Sequence, residues 1–382
     1  MNILAIFFHF PPISGGGVIV AVDIVNSLAK SGHEITVLTP NLEWNGPKYE
    51  PETNSKVDVM RVNVPSKNNL KIAARRCKSP LIKKGIEVGN GKKFDFIFTI
   101  FHPFHMAPNA AVAIGEKLGI PVIVKIDDAV YEKSTGLKSI QRKIERTLSS
   151  KTLKKSSKIL VPNNETKETV NEFYNVTTEK ISIVPNGIDT MLFHTNKEKK
   201  SKIVIFSGAM YHHRGLDILL NAVPTVVKKI PEVKFVLLGD GPELDNLKKI
   251  VEDLKIKKNI DFKGWIKRDE IINYLSDASI AIGPLRSTTV TKNALPIKVL
   301  EYMSASLPIL SQKNTLPNDV LINNENGYFV TNSEDLASRI IQILENDEKR
   351  MKMCTKSYEM SLKFDWDKIA KKILTEYDSV KF

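Results

Sequence analysis

Cysteine is nearly absent from this chain. Cys77 and Cys354 lie far apart and match no metal-ligand or redox spacing, so a disulfide framework is excluded and a reducing, cytoplasmic setting is expected. Long apolar runs are missing as well: none reaches the roughly 18 residues that a membrane span requires. The opening Met1–Phe8 is apolar but lacks a basic lead and a cleavage site and stops at Pro11-Pro12, so it reads as a buried first strand, not a signal peptide. The sequons at Asn164 and Asn175 are of a kind that recurs by chance. There is no internal repeat, no low-complexity tract and no G-x-G-x-x-G dinucleotide fingerprint. Helix-turn-helix, RNA-recognition and zinc-finger patterns are lacking, and no aromatic residue interleaves the basic segments, which argues against nucleic acid as a partner.

Acid is also scarce in two places. Net charge is +13 over 382 residues, and it is local. Segment 67–93 holds nine Lys/Arg against Glu87 alone, and segment 133–158 holds nine against Glu145 alone, leaving the remainder slightly acidic. Three readings of these segments stand side by side: ordinary solvated faces, nucleic-acid binding, and contact with an anionic membrane surface. Segment 138–155 spaces Ile140, Ile144, Leu148 and Thr152 on one helical stripe with cations elsewhere, a pattern that a helix lying on anionic lipid shares with an ordinary solvated face.

With 42% hydrophobic and 26% charged residues, the chain is globular, and its length implies two domains, 1–190 and 191–363, followed by an amphipathic helix within 364–382. Apolar runs alternate with helical patterns in both halves, which implies parallel sheets covered by helices. Strands are expected at 3–8, 35–38, 57–62, 96–100, 122–126 and 159–161, then at 203–206, 235–238, 260–262, 280–282 and 309–310. Between the first two lie Gly15, Gly16 and Gly17 and a helix over 18–30, where backbone N–H groups can approach a phosphate; a plain tight turn is the alternative.

The most informative stretch is Leu295-Pro296-Ile297-Lys298-Val299-Leu300-Glu301-Tyr302-Met303, followed by Ser304 to Leu310. Pro296 suits a helix's first turn, and Lys298 and Glu301 share one face. Such a helix tip favours an anion, and a carboxylate one turn later accepts two hydroxyl protons, the pattern of a diphosphate joined to a ribose diol. A surface i,i+3 ion pair would give the same spacing.

This P-x-K-x-x-E-Y-M pattern resembles the donor-site helix of retaining GT-B glycosyltransferases, the glycosyltransferase family 4 group. The resemblance implies an α/β fold of two Rossmann-like, doubly wound domains facing across a cleft, a nucleotide-sugar donor (UDP- or GDP-linked) and no cofactor. It places Glu301 on the donor ribose and Asn293 beside the sugar, with Ala294, Leu295 and Pro296 following; family members usually carry Glu where Asn293 stands. Ile183 to Phe193 is similar to the family's V-x-x-N-G-[VI]-D-x-x-x-F segment, and the helix around Trp366 is similar to one that crosses back to the N-terminal domain. Ser207-Gly208-Ala209 to Arg214-Gly215 parallels a G-R-x-x-x-x-K-G turn, with Arg214 replacing its Lys and Ala209 its Arg. Gly208, Arg214, Lys298 and the 15–17 loop then become diphosphate-binding candidates.

For the acceptor side, Asp127 and Asp128 follow the strand at 122–126 where the family usually shows His-Asp, and either could orient the acceptor hydroxyl; a metal site is the weaker alternative. His102 and His105 follow another strand end and either bond a sugar or are satisfied by backbone. The resulting expectation is a metal-independent retaining transferase acting on a glycan, lipid-linked or small-molecule acceptor, with domain closure excluding water. A sugar-nucleotide 2-epimerase and a weakly catalytic membrane-tethering subunit are the competing readings.

Overall fold

A computed structural model describes residues 1–127, 136–195, 201–288, 291–292 and 294–381, with the side chains of 137 and 138 left aside. The chain forms two units, Met1–Gly187 together with Trp366–Phe382, and Ile188–Asp365.

The N-terminal unit is built on seven strands: β1 (Asn2–Ile6), β2 (Glu34–Pro40), β3 (Val57–Val62), β4 (Phe96–Phe101), β5 (Val122–Ile126), β6 (Lys158–Val161) and β7 (Ile181–Ile183). They pair in parallel in the order β3-β2-β1-β4-β5-β6-β7. The central strands are continuous apolar runs because helices cover both faces: Leu4, Ile6, Ile97 and Val124 lie in one core with residues of the helices 78–91 and 107–118. Asn69 and Asn163 cap two helices of this unit by accepting the amide hydrogens of Ile72 and Thr166.

The C-terminal unit repeats the plan with β8 (Ile203–Ser207), β9 (Lys234–Leu238), β10 (Ile260–Gly264), β11 (Ile280–Ile282), β12 (Ile309–Gln312) and β13 (Gly327–Val330). The order β10-β9-β8-β11-β12-β13 is again all parallel. In each sheet the order reverses beside the first strand, at β1/β4 and at β8/β11, and the carboxyl ends of such strands are where an open α/β sheet leaves room for a ligand.

The helix Trp366–Asp378 belongs to the N-terminal unit, as the resemblance implies. The Trp366 carbonyl accepts from the Ser27 hydroxyl at 3.0 Å, its indole N–H reaches Asp23 at 3.2 Å, and Tyr377 stacks on Phe96 with centroids 4.6 Å apart. Gly187 lies flat on the Trp366 ring, which a Cβ would meet at 2.4 Å.

Two local expectations change, and the stripe at 138–155 is exposed except at Thr152. β1 ends at Ile6, two residues early, although the Phe7 amide still bonds Leu38. Pro296 stands just before the helix Ile297–Ser304 instead of inside its first turn. The helix Leu137–Lys155 turns Ile140, Ile144 and Leu148 outward, while Glu145, Ser149 and Thr152 are buried. The polar side wins the interior because it has partners there: Asn109 donates to Thr152 at 2.5 Å and Ser149 donates to Glu145. No helix among the described residues is long and apolar enough to cross a membrane.

Candidate functional site

In the C-terminal unit the site grows from the end of β8. The chain turns at Gly208 with φ +132°, and the turn after β9 presses on it: a Cβ on Gly239 would lie 2.2 Å from the Gly208 carbonyl oxygen. The Gly208 amide donates to Leu238 at 2.9 Å and the Met210 amide to Asp240 at 2.9 Å, so two strand ends are tied with backbone exposed between them.

The helix Ile297–Ser304 is fixed against this turn by Tyr302. Its phenol oxygen accepts the Ser207 amide hydrogen at 2.7 Å and donates back to the Ser207 carbonyl at 3.3 Å, and burial pushes the phenol's pKa up. One turn earlier, Lys298 lays its Nζ over the Phe206 ring, 4.0 Å from the centroid. The ammonium also backs onto Gly208, where a Cβ would come within 2.8 Å of Nζ. Among the described residues Nζ has no hydrogen-bond partner although it is buried. Burial first and the Arg214 charge second push the Lys298 pKa well below its ordinary value, and Glu301 opposes them.

Arg214 closes a short 3-10 turn, and its carbonyl accepts the Leu285 amide hydrogen at 3.0 Å. Gly215, with φ +71°, lets that loop approach so closely that a Cβ would sit 2.8 Å from the Leu285 carbonyl carbon. Arg286 reinforces the clamp through Asp217 at 2.6 Å. Glu301 is 4% exposed, and Arg268 Nε stands 3.4 Å from its Oε1 while the Arg268 guanidinium lies 5.6 Å from the Phe193 ring centroid. A buried carboxylate accepts hydrogen bonds through both oxygens, which is the chemistry a ribose diol needs.

In the N-terminal unit three imidazoles gather at the ends of β1 and β4. His105 stacks on His102 with centroids 4.3 Å apart and meets His9 edge-on at 4.9 Å and Phe8 at 4.6 Å. Burial, then the neighbouring imidazoles, push His105 down to about 2; burial and His102 push His9 down to about 4. Both are therefore neutral near pH 7. His102 Nδ1 donates to the Pro103 carbonyl at 2.8 Å, which leaves Nε2 as an acceptor. The loop turns at Phe104, with φ +69°, and its amide donates to Glu145 at 3.4 Å.

The structure thus gathers Gly208, Arg214, Lys298 and Glu301 about the β8 turn, with Ala294, Leu295 and Pro296 leading into the helix. It sets His102 and His105 together with His9. Gly15, Gly16 and Gly17 open the helix Gly16–Lys30 after β1 with empty space at each Cβ position. Asp127 follows β5 with its Oδ1 3.0 Å from the fully buried Lys125 Nζ, a charge contact without hydrogen-bond alignment, and Lys125 also donates to Val184 at 3.1 Å. Asp128 and Asn293 lie outside the described residues. His9, after β1, and Arg268, at the start of the helix Arg268–Asp277, are not among the residues expected from the sequence; tertiary pairing, not local spacing, brings them to these groups.

Two family models divide the chain: residues 14–192 match Glycosyltransferase Family 4 and residues 188–360 match Glycosyl transferases group 1. An uncharacterized glycosyltransferase of Methanocaldococcus jannaschii is 22% identical across 99% of this chain and 98% of its own length. The alpha-monoglucosyldiacylglycerol synthase of Streptococcus pneumoniae is 24% identical across 92% of this chain and 80% of its own. Among solved structures, Anabaena HepE in complex with UDP and glucose superposes with a TM-score of 0.76 at 16% identity, covering 99% of this chain and 100% of that one. Family models meeting near residue 190, and two parallel Rossmann-like sheets in a chain that shares its fold with HepE, agree: the chain belongs to the glycosyltransferase family 4 group and has the GT-B fold.

Proposed function

We propose that this protein is a retaining, metal-independent hexosyltransferase that moves a sugar from a UDP- or GDP-sugar to a glycan or lipid-linked acceptor. The observation that carries the reading is the buried Lys298 Nζ, without a hydrogen-bond partner among the described residues, one helical turn before Glu301. A buried cation short of hydrogen bonds is costly in the empty protein and is satisfied by a diphosphate. Arg214 supplies the second positive charge, Glu301 takes the ribose hydroxyls, and the 294–296 segment lies toward the sugar.

In the step itself, the bond between the anomeric carbon and the diphosphate oxygen breaks, and its electron pair leaves on that oxygen. The acceptor oxygen bonds the anomeric carbon from the same face, and its proton passes to the departing diphosphate. Lys298 and Arg214 stabilise the charge that develops there, which is the part of the reaction where preorganised cations act most strongly. The neutral imidazoles of the N-terminal unit offer acceptor atoms to a sugar hydroxyl. The Gly15–Gly17 helix start offers backbone N–H groups to an anion.

Support for the donor class comes from HepE, a relative in fold that binds UDP and glucose. The test is a thermal-shift screen of UDP-, GDP- and ADP-sugars followed by transfer assays on Glu301→Ala and Arg214→Ala. A nucleotide diphosphate should raise the melting temperature, and both variants should lose most transfer while remaining folded. Turnover like the parent's in both variants would remove the assignment.

A further inference from the structure

The helix Leu137–Lys155 is mounted the wrong way round for a helix of a water-soluble surface. Ile140, Ile144 and Leu148, spaced four apart on one stripe, are 59%, 58% and 42% exposed. Glu145, the helix's one acid, faces inward, so the outer face carries Lys143, Lys151 and Lys154 around the apolar stripe and no negative charge. The neighbouring helix Leu70–Arg76 adds Lys71, Arg75 and Arg76 and a fourth exposed apolar side chain, Ile72 at 40%. Single exposed apolar residues are commonplace, whereas a stripe ringed by cations is the composition of a helix lying in a membrane interface.

The two helices meet at one cavity of about 360 Å³, whose wall includes Arg75, Ile144, Leu148, Met106 and His105. The two basic segments of the sequence thus border the same opening, and His105 of the imidazole cluster lies in its lining. Ile144 and Leu148 carry the stripe to its mouth, while Arg75, His105, Gln141 and Glu145 line it with polar groups, a lining that suits a polar head joined to hydrocarbon chains.

We propose that the outer face of Leu137–Lys155, with Ile72 and Arg75, rests on an anionic phospholipid bilayer and that the cavity admits the headgroup of an acceptor lipid drawn from it. A second copy of this chain is a poorer occupant, because a two-fold contact would set these lysines and arginines against themselves. The docking itself does not depend on transfer chemistry; the acceptor assignment rests on the glycosyltransferase reading above.

The experiment is co-sedimentation of the full chain with phosphatidylcholine vesicles that contain or lack phosphatidylglycerol, at low and high salt. Binding should require phosphatidylglycerol and weaken with salt. Ile140→Ser/Ile144→Ser/Leu148→Ser should lower partition by roughly ten-fold or more while circular dichroism stays unchanged, since all three side chains are already exposed. Lys143→Glu/Lys151→Glu should lower it similarly and flatten the salt dependence. Absence of binding by the parent, or equal binding by the folded triple variant, overturns the proposal. So does a dimer in sedimentation velocity that the triple variant abolishes. A UDP-induced thermal shift measured on the same preparation reports on the donor site separately, so failure of one idea does not conceal the other.

Discussion

Replacing Lys298 with Met separates the stability of the empty protein from its binding of donor. Met keeps a stem of similar length, so repacking costs less than about 1.5 kcal/mol. The swap also forfeits the cation–π contact with Phe206, worth about 1–2 kcal/mol in a desolvated setting. Against this stands relief from burying an ammonium that has no hydrogen-bond partner among the described residues and faces the Arg214 charge. Burial of an unpaired charge costs several kcal/mol, limited here because the amine can shed its proton instead. The terms leave Lys298→Met neutral to about 1 kcal/mol more stable, while UDP affinity loses a charged contact worth about 1.5–3 kcal/mol, or roughly 10–150-fold. Urea denaturation at unchanged slope would read the first number and titration calorimetry the second. A variant destabilised by more than about 2 kcal/mol that still binds UDP like the parent would show that Lys298 is a packing residue and would refute the argument.

The same lysine should make UDP binding proton-linked: its depressed pKa rises when the anion arrives, so binding takes up a proton and weakens as pH rises through the depressed value. Calorimetry in buffers of different ionisation enthalpy reads this uptake directly. Gly208→Ala should destabilise by about 1–3 kcal/mol from its φ alone, since the Lys298 Nζ in its way is movable, whereas Gly239→Ala meets fixed backbone at 2.2 Å and should cost more. In acid, His9 and His105 have folded pKa values below 6.5, so the unfolded chain binds more protons and stability falls as pH drops below 6.5 toward 4. By pH 5 each contributes about 2 kcal/mol of loss, and His9→Phe should remove its share of the difference between urea midpoints at pH 7 and pH 5.

Much of the architecture was legible because parallel strands buried on both faces are unbroken apolar runs, as in Phe96–Phe101 and Val122–Ile126. β13 escaped notice for the opposite reason: Gly-Tyr-Phe-Val is four residues long and follows a polar Asn-rich turn. The helices Ser333–Leu344 and Asp347–Ser361 do carry a local signal, since Asn332 and Asn346 cap them by accepting the amide hydrogens of Asp335 and Lys349. In the site, Lys298 and Glu301 could be placed from spacing alone because i,i+3 fixes a shared face. Arg268 could not, since nothing local ties residue 268 to 301. His9 likewise depends on β1 and β4 lying side by side, a pairing of residues almost a hundred positions apart. The inside-out helix at 137–155 shows the limit of periodicity: a stripe of Ile and Leu reveals that one face differs, and the partners of Glu145 and Thr152 decide which face goes in.

The substitution at residue 209 bears on how the diphosphate charge is met. Ala209 is exposed on the β8 turn, and any cation placed there would stand outside the glycine contact instead of within it. Lys298 reaches Gly208 across the Phe206 ring, with its Nζ buried. Because its Nζ is buried whereas an arginine at 209 would be hydrated, each unit of charge is screened less and acts more strongly on a ligand at that turn. On the donor reading, one buried lysine therefore replaces an exposed arginine without loss of attraction, and moving the charge back with Ala209→Arg in the Lys298→Met background should recover only part of the UDP affinity, with greater sensitivity to salt. Full recovery at high ionic strength would mean that burial of the cation contributes nothing.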